Sequence, residues 1–130
     1  MNEFTIWQKL PSLNEVIRAN RTNRYAGAKE KRDLQNDIGW AIRLALREKT
    51  LHTVEHPVAI TFEWWEKTKR RDLDNIASCT KFILDALVEN GILKDDNVQY
   101  VIELHHILKS CKSNDYKVRV ILNDIVDFKN

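Results

Sequence analysis

The segment PVAITFEWWEK, residues 57–67, is rich in β-branched and aromatic side chains, a composition that is typical of a strand inside a sheet. A helical pattern follows it in NIASCTKFILDALVENG, residues 75–91, where Asn90 and Gly91 provide a C-terminal stop. One face of that helix carries Ile76, Cys79, Thr80, Ile83 and Leu87. Together the two segments predict a central strand that leads into a helix packed on the sheet.

The residues before this unit predict another strand and a capped helical turn. EFTIWQKL, residues 3–10, alternates in the manner of a strand, and Pro11 is expected to end it. SLNE then offers a capping box, with Ser12 as the cap and Glu15 three residues later, so that a short helical turn is expected. The polar and basic segment 18–32 is expected to be a loop that runs into a helix.

The longest predicted helix covers roughly residues 24–49. Its apolar residues recur at the spacing of a single helical stripe, and they are Leu34, Ile38, Ala41, Ile42 and Ala45. Such a stripe indicates a helix that packs one face on the core.

The last third of the chain predicts two more strands. NVQYVIELHHIL, residues 97–108, and DYKVRVILNDIV, residues 115–126, both alternate, and KSCKSN lies between them. We therefore expect an antiparallel hairpin with a longish loop. The order β-α-β-α-β-β predicts an α/β (α+β) fold, in which helices pack on a mixed β-sheet. The length predicts one domain that covers residues 1–130.

Composition limits the class of protein. The 130 residues are 43% hydrophobic and 31% charged, which is sufficient for a core at this size. No apolar run approaches the about 20 residues of a bilayer span, and no signal-peptide pattern opens the chain. The two cysteines match no zinc spacing, so that a cytoplasmic protein with reduced thiols is expected.

Charge is distributed unevenly along the chain. Residues 1–71 hold 14 Lys and Arg against 9 Asp and Glu, whereas residues 72–130 hold 7 against 10. This asymmetry favours a polyanionic partner on one side and a cation site on the other. A merely solvated charged surface is the plainer alternative.

Carboxylates are concentrated after the central strand. Asp72 and Asp74 flank Leu73, and in an extended segment they would point the same way while Leu73 points to the core. Asp95 and Asp96 follow the next helix, so that an antiparallel return could bring one of them to the same place. Such an oxygen-rich site suits Mg²⁺ or Mn²⁺. Alternatively, Asp72 and Asp74 only stabilise a helix N-terminus through the helix dipole, and Asp95 and Asp96 only form an ordinary turn.

Basic and aromatic residues surround these carboxylates. Cations that could hold DNA phosphates stand just before the aspartates and near the N-terminus: Lys67, Lys69, Arg70, Arg71, Arg18, Arg21 and Arg24. Trp64 and Trp65 point to opposite faces of their strand. One of them is expected in the core. For the other, a core position, a dimer interface and stacking on a base all stay open. His105 and His106 also alternate, which indicates one half-buried and one solvated histidine rather than a metal site.

The motif RRDLDN (residues 70–75), the helical KFILDAL and the segment GILKDDNVQ (residues 91–99) resemble the RusA family of Holliday-junction resolvases. The N-terminal segment 10–31 is similar in placement to that family's Pro-Ser-Asn loop. The resemblance implies a homodimeric, Mg²⁺-dependent crossover junction endodeoxyribonuclease that nicks paired strands at four-way DNA junctions, in recombination and repair. It also implies that the metal-binding aspartates of the family fall on Asp72, Asp74 and Asp96.

The functional lysine of the family has no counterpart at its usual position, where this chain has Ser78. Lys81 is the next lysine, and positions four and seven after Asp74 lie on nearly the same helical face. We therefore assign the lysine role to Lys81, on the expectation that residues 77–80 add about one helical turn. Asp85, one turn further on, could pair with Lys81.

These inferences predict an enzyme in which a metal-bound water attacks the phosphorus in line and Lys81 stabilises charge on the phosphate or orients the water. Mn²⁺ is a possible substitute for Mg²⁺. Two alternatives stay open: a protein that binds branched DNA without cutting it, and a nuclease that acts on flaps, duplexes or RNA.

Overall fold

The structure is a computed structural model, and it describes residues 2–22, 24–67, 72–112 and 115–125. Within these ranges the expected α+β order is confirmed. The strands are β1 (Glu3–Ile6), β2 (Val58–Glu66), β3 (Val101–Ser110) and β4 (Lys117–Asp124). The helices are α1 (Leu13–Thr22), α2 (Arg24–Glu48), α3 (Leu73–Ile76) and α4 (Thr80–Glu89).

The four strands form one mixed sheet in the order β1-β4-β2-β3. β4 pairs antiparallel with both β1 and β2, whereas β3 runs parallel to β2 at the sheet edge. The predicted hairpin of β3 and β4 is therefore wrong, because β2 lies between them. β2 itself is central, as its composition predicts.

The connections explain this arrangement. The crossover through α4 returns the chain to the other end of β2, so that β3 can only run parallel to it. The segment after β3 then passes over the end of β2, where the Cys111 N–H donates a hydrogen bond to the Glu66 carbonyl, 3.0 Å away. β3 and β4 lie on either side of β2 and are therefore two inter-strand spacings of about 4.8 Å apart. The longish loop after Ser110 covers this distance, which a tight hairpin turn could not.

The core lies on one face of the sheet, beneath α2 and α4. Alternate residues of β1, β2 and β4 are buried: Phe4, Ile6, Val58, Ile60, Phe62, Trp64, Val118, Val120 and Leu122. The predicted stripe of α2 is confirmed, because Leu34, Ile38, Ala41, Ile42 and Ala45 all pack in or against this core. The Gln35 amide donates to the Phe82 carbonyl at 3.2 Å and so links α2 to α4.

The N-terminal elements differ from the prediction in extent. β1 ends at Ile6 rather than at residue 10, and the segment 18–22, which was expected to be a loop, continues α1. Ser12 acts as the expected cap, because its Oγ accepts the Glu15 N–H at 3.2 Å. With this N–H of the first turn satisfied, α1 extends to Thr22, and α2 begins two residues later.

The opposite face of the sheet is not covered by any helix among the described residues. The residues that alternate with the buried ones along each strand point to this face. Among them are Glu3, Glu63, Trp65, Lys117 and Arg119, and none of these five is fully buried. We call this surface the open face. In the described parts of the chain, no helix combines the length and apolar character needed to cross a bilayer.

Candidate active site

Two of the predicted aspartates stand at the start of α3. Asp72 occupies the position before the helix in extended backbone, with φ −69° and ψ 150°, and Asp74 lies in the first turn. Both side chains are exposed. The helix begins at Leu73, so the two carboxylates do not follow the alternation of an extended segment. For the same reason Leu73 is 37% exposed and does not point to the core, contrary to the prediction.

The local sequence sets the short length of α3. The hydroxyl of Ser78 donates to the Asn75 carbonyl at 2.6 Å, and that of Thr80 donates to the Ala77 carbonyl at 2.6 Å. Hydroxyls that bond backward in this way compete with the helical ladder. A 3₁₀ turn, Ala77–Cys79, accordingly separates α3 from α4. Residues 77–80 were expected to add about one helical turn, and the structure has a 3₁₀ turn there that interrupts the helix.

Lys81, in the first turn of α4, contacts two carboxylates. Its Nζ lies 2.6 Å from Asp96 Oδ2 and 3.1 Å from Asp85 Oδ1. The pairing of Lys81 with Asp85 that the helical spacing predicts is therefore confirmed. The bond to Asp96, and then the Asp85 carboxylate, raise the pKa of Lys81 above its ordinary value. The same bond lowers the pKa of Asp96, so both groups are ionised near neutral pH.

The neighbouring carboxylate, Asp95, holds the turn that presents Asp96. Its Oδ1 accepts the Asp96 N–H at 2.7 Å, and its Oδ2 accepts the Asn97 side-chain amide at 3.1 Å. Asn97 Oδ1 in turn accepts the Gln99 N–H at 2.9 Å. Asp95 is thus used locally, as its turn composition suggests, whereas Asp96 reaches the start of α4 across fifteen residues of sequence.

Buried neighbours fix this turn in place. Ile92 and Leu93 lie in the core directly before it, and the Ile92 carbonyl accepts the Val54 N–H at 2.9 Å. Gly91 precedes them with φ 76°, a left-handed conformation that glycine adopts without strain. The predicted C-terminal stop of α4 therefore also directs the chain toward Asp96.

The basic residues are described only in part. Lys67 is exposed directly after β2, while Lys69, Arg70 and Arg71 lie outside the described residues. Arg18 and Arg21 are exposed on α1, and Arg24 begins α2. The side chain of Arg24 lies outside the described residues. On the described surface, therefore, Lys67, Arg18 and Arg21 are accessible to a polyanion.

Sequence reasoning missed one link within the site. The Asn14 side-chain amide donates to Asn75 Oδ1 at 3.5 Å and connects α1 to α3. The sequence does contain a pointer to this contact, which is the asparagine that ends RRDLDN. A short polar side chain at that place can form a hydrogen bond to a neighbouring helix. The contact brings the helix that carries Arg18 next to the element that carries Asp74.

The oxygen donors fit a hard divalent cation by type. Mg²⁺ binds through one or two carboxylates and keeps several waters, and Asp72 and Asp74 offer two exposed carboxylates. Asp74 Oδ1 also accepts the Asn75 N–H at 2.9 Å, and Asp96 is engaged by Lys81. Among the residues that the structure describes, no three His, Cys, Asp or Glu side chains form a group that could hold a metal ion.

The chain was compared with curated proteins and with protein-family models. A search among curated proteins found no match. The family model described as Endodeoxyribonuclease RusA matches residues 7–122, a range that includes every aspartate and lysine of the candidate site. The chain therefore belongs to the RusA family of endodeoxyribonucleases.

Proposed function

We propose that the protein is a divalent-metal-dependent endonuclease that resolves four-way DNA junctions in recombination and repair. Membership of an endodeoxyribonuclease family supports the reaction class. The observation that carries the proposal is the 2.6 Å contact of Lys81 with Asp96. It joins the turn after α4 to the start of α4, one 3₁₀ turn from α3, which contains Asp74 and is preceded by Asp72.

In this proposal Asp72, Asp74 and Asp96 would hold the divalent ion, although the structure itself does not bring these three described residues together as one group. The ion would act as a Lewis acid on the scissile phosphate and would activate water. The aspartates do not need to act as proton carriers for that role. Their contribution is to present anionic oxygens on a turn and a helix start that the core positions.

Lys81 serves as a fixed positive charge. Because two carboxylates raise its pKa, the ammonium group stays protonated near neutral pH and does not accept a proton from water. It is 66% exposed, so a phosphate can approach it from solvent. We propose that Lys81 stabilises the negative charge that grows on the phosphate oxygens during hydrolysis.

The DNA backbone is held by cations on two sides of this site. Lys67, Arg18 and Arg21 are exposed, and Arg24, Lys69, Arg70 and Arg71 complete the proposed set. Each phosphate that such a cation neutralises releases counterions, so affinity should fall steeply as salt rises.

We further propose that the enzyme is a homodimer, because two symmetric cuts need two symmetric sites. The edge of β3 that faces away from β2 has no strand partner among the described residues. Leu104 and Ile107 on this strand are 43% and 41% exposed. A ten-residue edge of this kind is a ready template for pairing with a second copy. Size-exclusion chromatography with light scattering should give twice the 15.3 kDa of one chain, and Leu104→Glu should lower that mass.

The activity test uses a labelled four-way junction with Mg²⁺ or Mn²⁺. Wild type should cut it symmetrically, whereas Asp74→Asn should bind it without cutting, and Asp33→Asn, a control on the exposed surface of α2, should cut it normally. Y-shaped DNA, linear duplex and RNA at matched salt test the other nuclease specificities. An intact junction after incubation with wild type and either ion would refute the proposal.

A second candidate is a protein that binds branched DNA without cutting it. The favouring observation is Ser78, which stands at the usual position of the family lysine and bonds its hydroxyl to the Asn75 carbonyl. Comparing Lys81→Ala with Lys94→Ala, a second exposed lysine, separates the candidates. Loss of cleavage in Lys81→Ala alone supports the nuclease, while equal binding and no cleavage by wild type and both variants select the binding protein.

A further inference from the structure

Three side chains on the open face form a row in which a lysine lies between two tryptophans. The Nζ of Lys117 lies 4.8 Å from the ring centroid of Trp7 and 4.6 Å from that of Trp65. Trp7 is 73% exposed, and Trp65 is half-buried. We refer to Trp7, Lys117 and Trp65 as the tryptophan–lysine row.

Strand register fixes this row. Lys117 is opposite Trp65 in the β4–β2 ladder. Ile6 is opposite Val118 in the β1–β4 ladder, so that Trp7 comes next to Lys117 just beyond the end of β1. At about 4.8 Å between strands, the row spans roughly 10 Å. Two of its three residues, Lys117 and Trp65, therefore stand in paired strands, and Trp7 directly follows a third strand.

A second aromatic–lysine pair lies close to the row in the sequence. The Nζ of Lys9 lies 5.0 Å from the ring centroid of Tyr116, which directly precedes Lys117. Ammonium groups within about 6 Å of a ring centroid are attracted to its face. Because successive residues of an extended segment point to opposite faces, we do not count this pair as part of the row.

The charge balance of the open face favours an anionic ligand for the row. The acidic residues further along the face, Glu3 and Glu63, already pair with Arg119 at 2.7 and 3.4 Å. Among the described residues no carboxylate pairs with Lys117. A second copy placed symmetrically on the row would bring two Lys117 ammonium groups together, which like-charge repulsion disfavours.

Along the chain, Trp65 of the row precedes the first aspartates of the candidate active site. Trp65 stands on β2, two residues before Lys67, and the chain reaches Asp72 five residues after Lys67. The end of β2 that carries the row is therefore the end from which the site's first carboxylates emerge.

We propose that the tryptophan–lysine row binds unpaired bases of single-stranded DNA. A base stacks on the exposed ring of Trp7, and Lys117 contacts the adjoining phosphate. Aromatic rings beside cations are the general means of binding single strands without sequence preference. This inference rests on the proposed function in taking DNA as the ligand, and it adds a subsite that duplex arms do not occupy.

The test measures binding rather than cleavage. The full chain is titrated, without metal, against a fluorescein-labelled 12-nucleotide oligothymidylate and against a blunt duplex of matched length. Trp7→Ala should weaken binding of the single strand by about tenfold and binding of the duplex by less than about twofold, since stacking on one ring acts on unpaired bases. Trp40→Ala is the control, because Trp40 is 66% exposed on α2 and lies outside the row.

Lys117→Ala provides a second variant, with Lys94→Ala as its control. It should weaken single-strand binding. It should also reduce the slope of log K against log salt concentration by about the amount expected for one lost phosphate contact. Thermal unfolding of all four variants should match wild type closely, because each replaced side chain is largely outside the core.

The outcomes separate this inference from the proposed function. Equal single-strand affinity for Trp7→Ala, Trp40→Ala and wild type overturns the row as a binding site, even if junctions are cut. A change in oligomeric mass in Trp7→Ala also overturns it, because the row would then be an interface between copies. Failure to cut junctions, with tenfold weaker single-strand binding by Trp7→Ala, leaves the row supported and removes the nuclease.

Discussion

The hydrogen bond between Trp64 and His106 gives the sharpest prediction for stability. Trp64 Nε1 donates to His106 Nδ1 at 3.0 Å, and the Trp64 side chain is only 2% exposed. The rings of Trp64 and His106 stack on Phe62. Because indole nitrogen can only donate, replacing the acceptor leaves a buried donor without a partner.

The substitution His106→Leu keeps most of the volume and removes the acceptor. An unsatisfied buried donor costs about 1–3 kcal/mol. For a domain of this size each kcal/mol shifts the melting temperature by about 3–5 °C, so we expect a fall of roughly 3–15 °C. The same substitution in a Trp64→Phe background should cost less, since the donor is already absent.

The bond also makes stability depend on pH. Burial, and then the charge of His105, lower the pKa of His106 below its ordinary value of 6.5. Protonation would place a hydrogen on Nδ1, which could then no longer accept the indole N–H. Stability is therefore complete above the unfolded pKa of about 6.5, and it falls as pH drops from there through the lower folded pKa.

Urea unfolding at pH 7.5 and pH 5.5 measures this effect. Wild type should lose stability between the two pH values, and His106→Leu should lose less. His56→Leu is the control, because His56 is an exposed histidine that takes no part in this hydrogen bond, and it should keep the wild-type pH dependence. Identical pH dependence in wild type and His106→Leu would refute the reasoning.

Three further predictions concern the core, the turn and the ion pair. Ile83→Ala should destabilise the protein by about 2–5 kcal/mol in urea unfolding, since Ile83 is fully buried, and a loss below 1 kcal/mol would contradict this packing. Gly91→Ala should cost about 1–2 kcal/mol for its left-handed backbone alone, because nothing lies within 4 Å of the added Cβ. Lys81→Ala should raise the pKa of Asp96 toward its ordinary 3.8 in a carboxyl NMR titration. The variant should also lack the stability that the ion pair gives wild type above pH 3.8, and which wild type loses as the pH falls below that value.

Local periodicity predicted the elements whose signals are local. The stripe of α2, the strand β2 and the capping box at Ser12 all follow from spacing within one element. α1 was underestimated, because the basic composition of residues 18–22 suggested a loop while the cap upstream stabilised a helix. Composition alone could not weigh these two effects.

The sheet order could not be derived from alternation, because β3 and β4 alternate equally well in the sequence. Pairing of strands is non-local, and sequence neighbours are only its commonest solution. A signal for the edge position was nevertheless present in the polar residues of β3: Glu103, His105, His106 and Lys109. Charged and polar side chains are common on edge strands, and β3 is one of the two edge strands of this sheet.

The candidate site shows how a buried core positions exposed charges. Asp96 is exposed enough to meet solvent, yet Ile92 and Leu93 fix the chain three residues before it. Lys81 likewise directly precedes Phe82 and Ile83, which are buried under the same core. The ion pair is therefore set by apolar packing on both sides of it. The motif that names Lys81 and Asp96 combines charged residues with apolar ones at fixed spacing, so it reflects this packing. The exposed Leu73, in contrast, could not be placed by pattern alone.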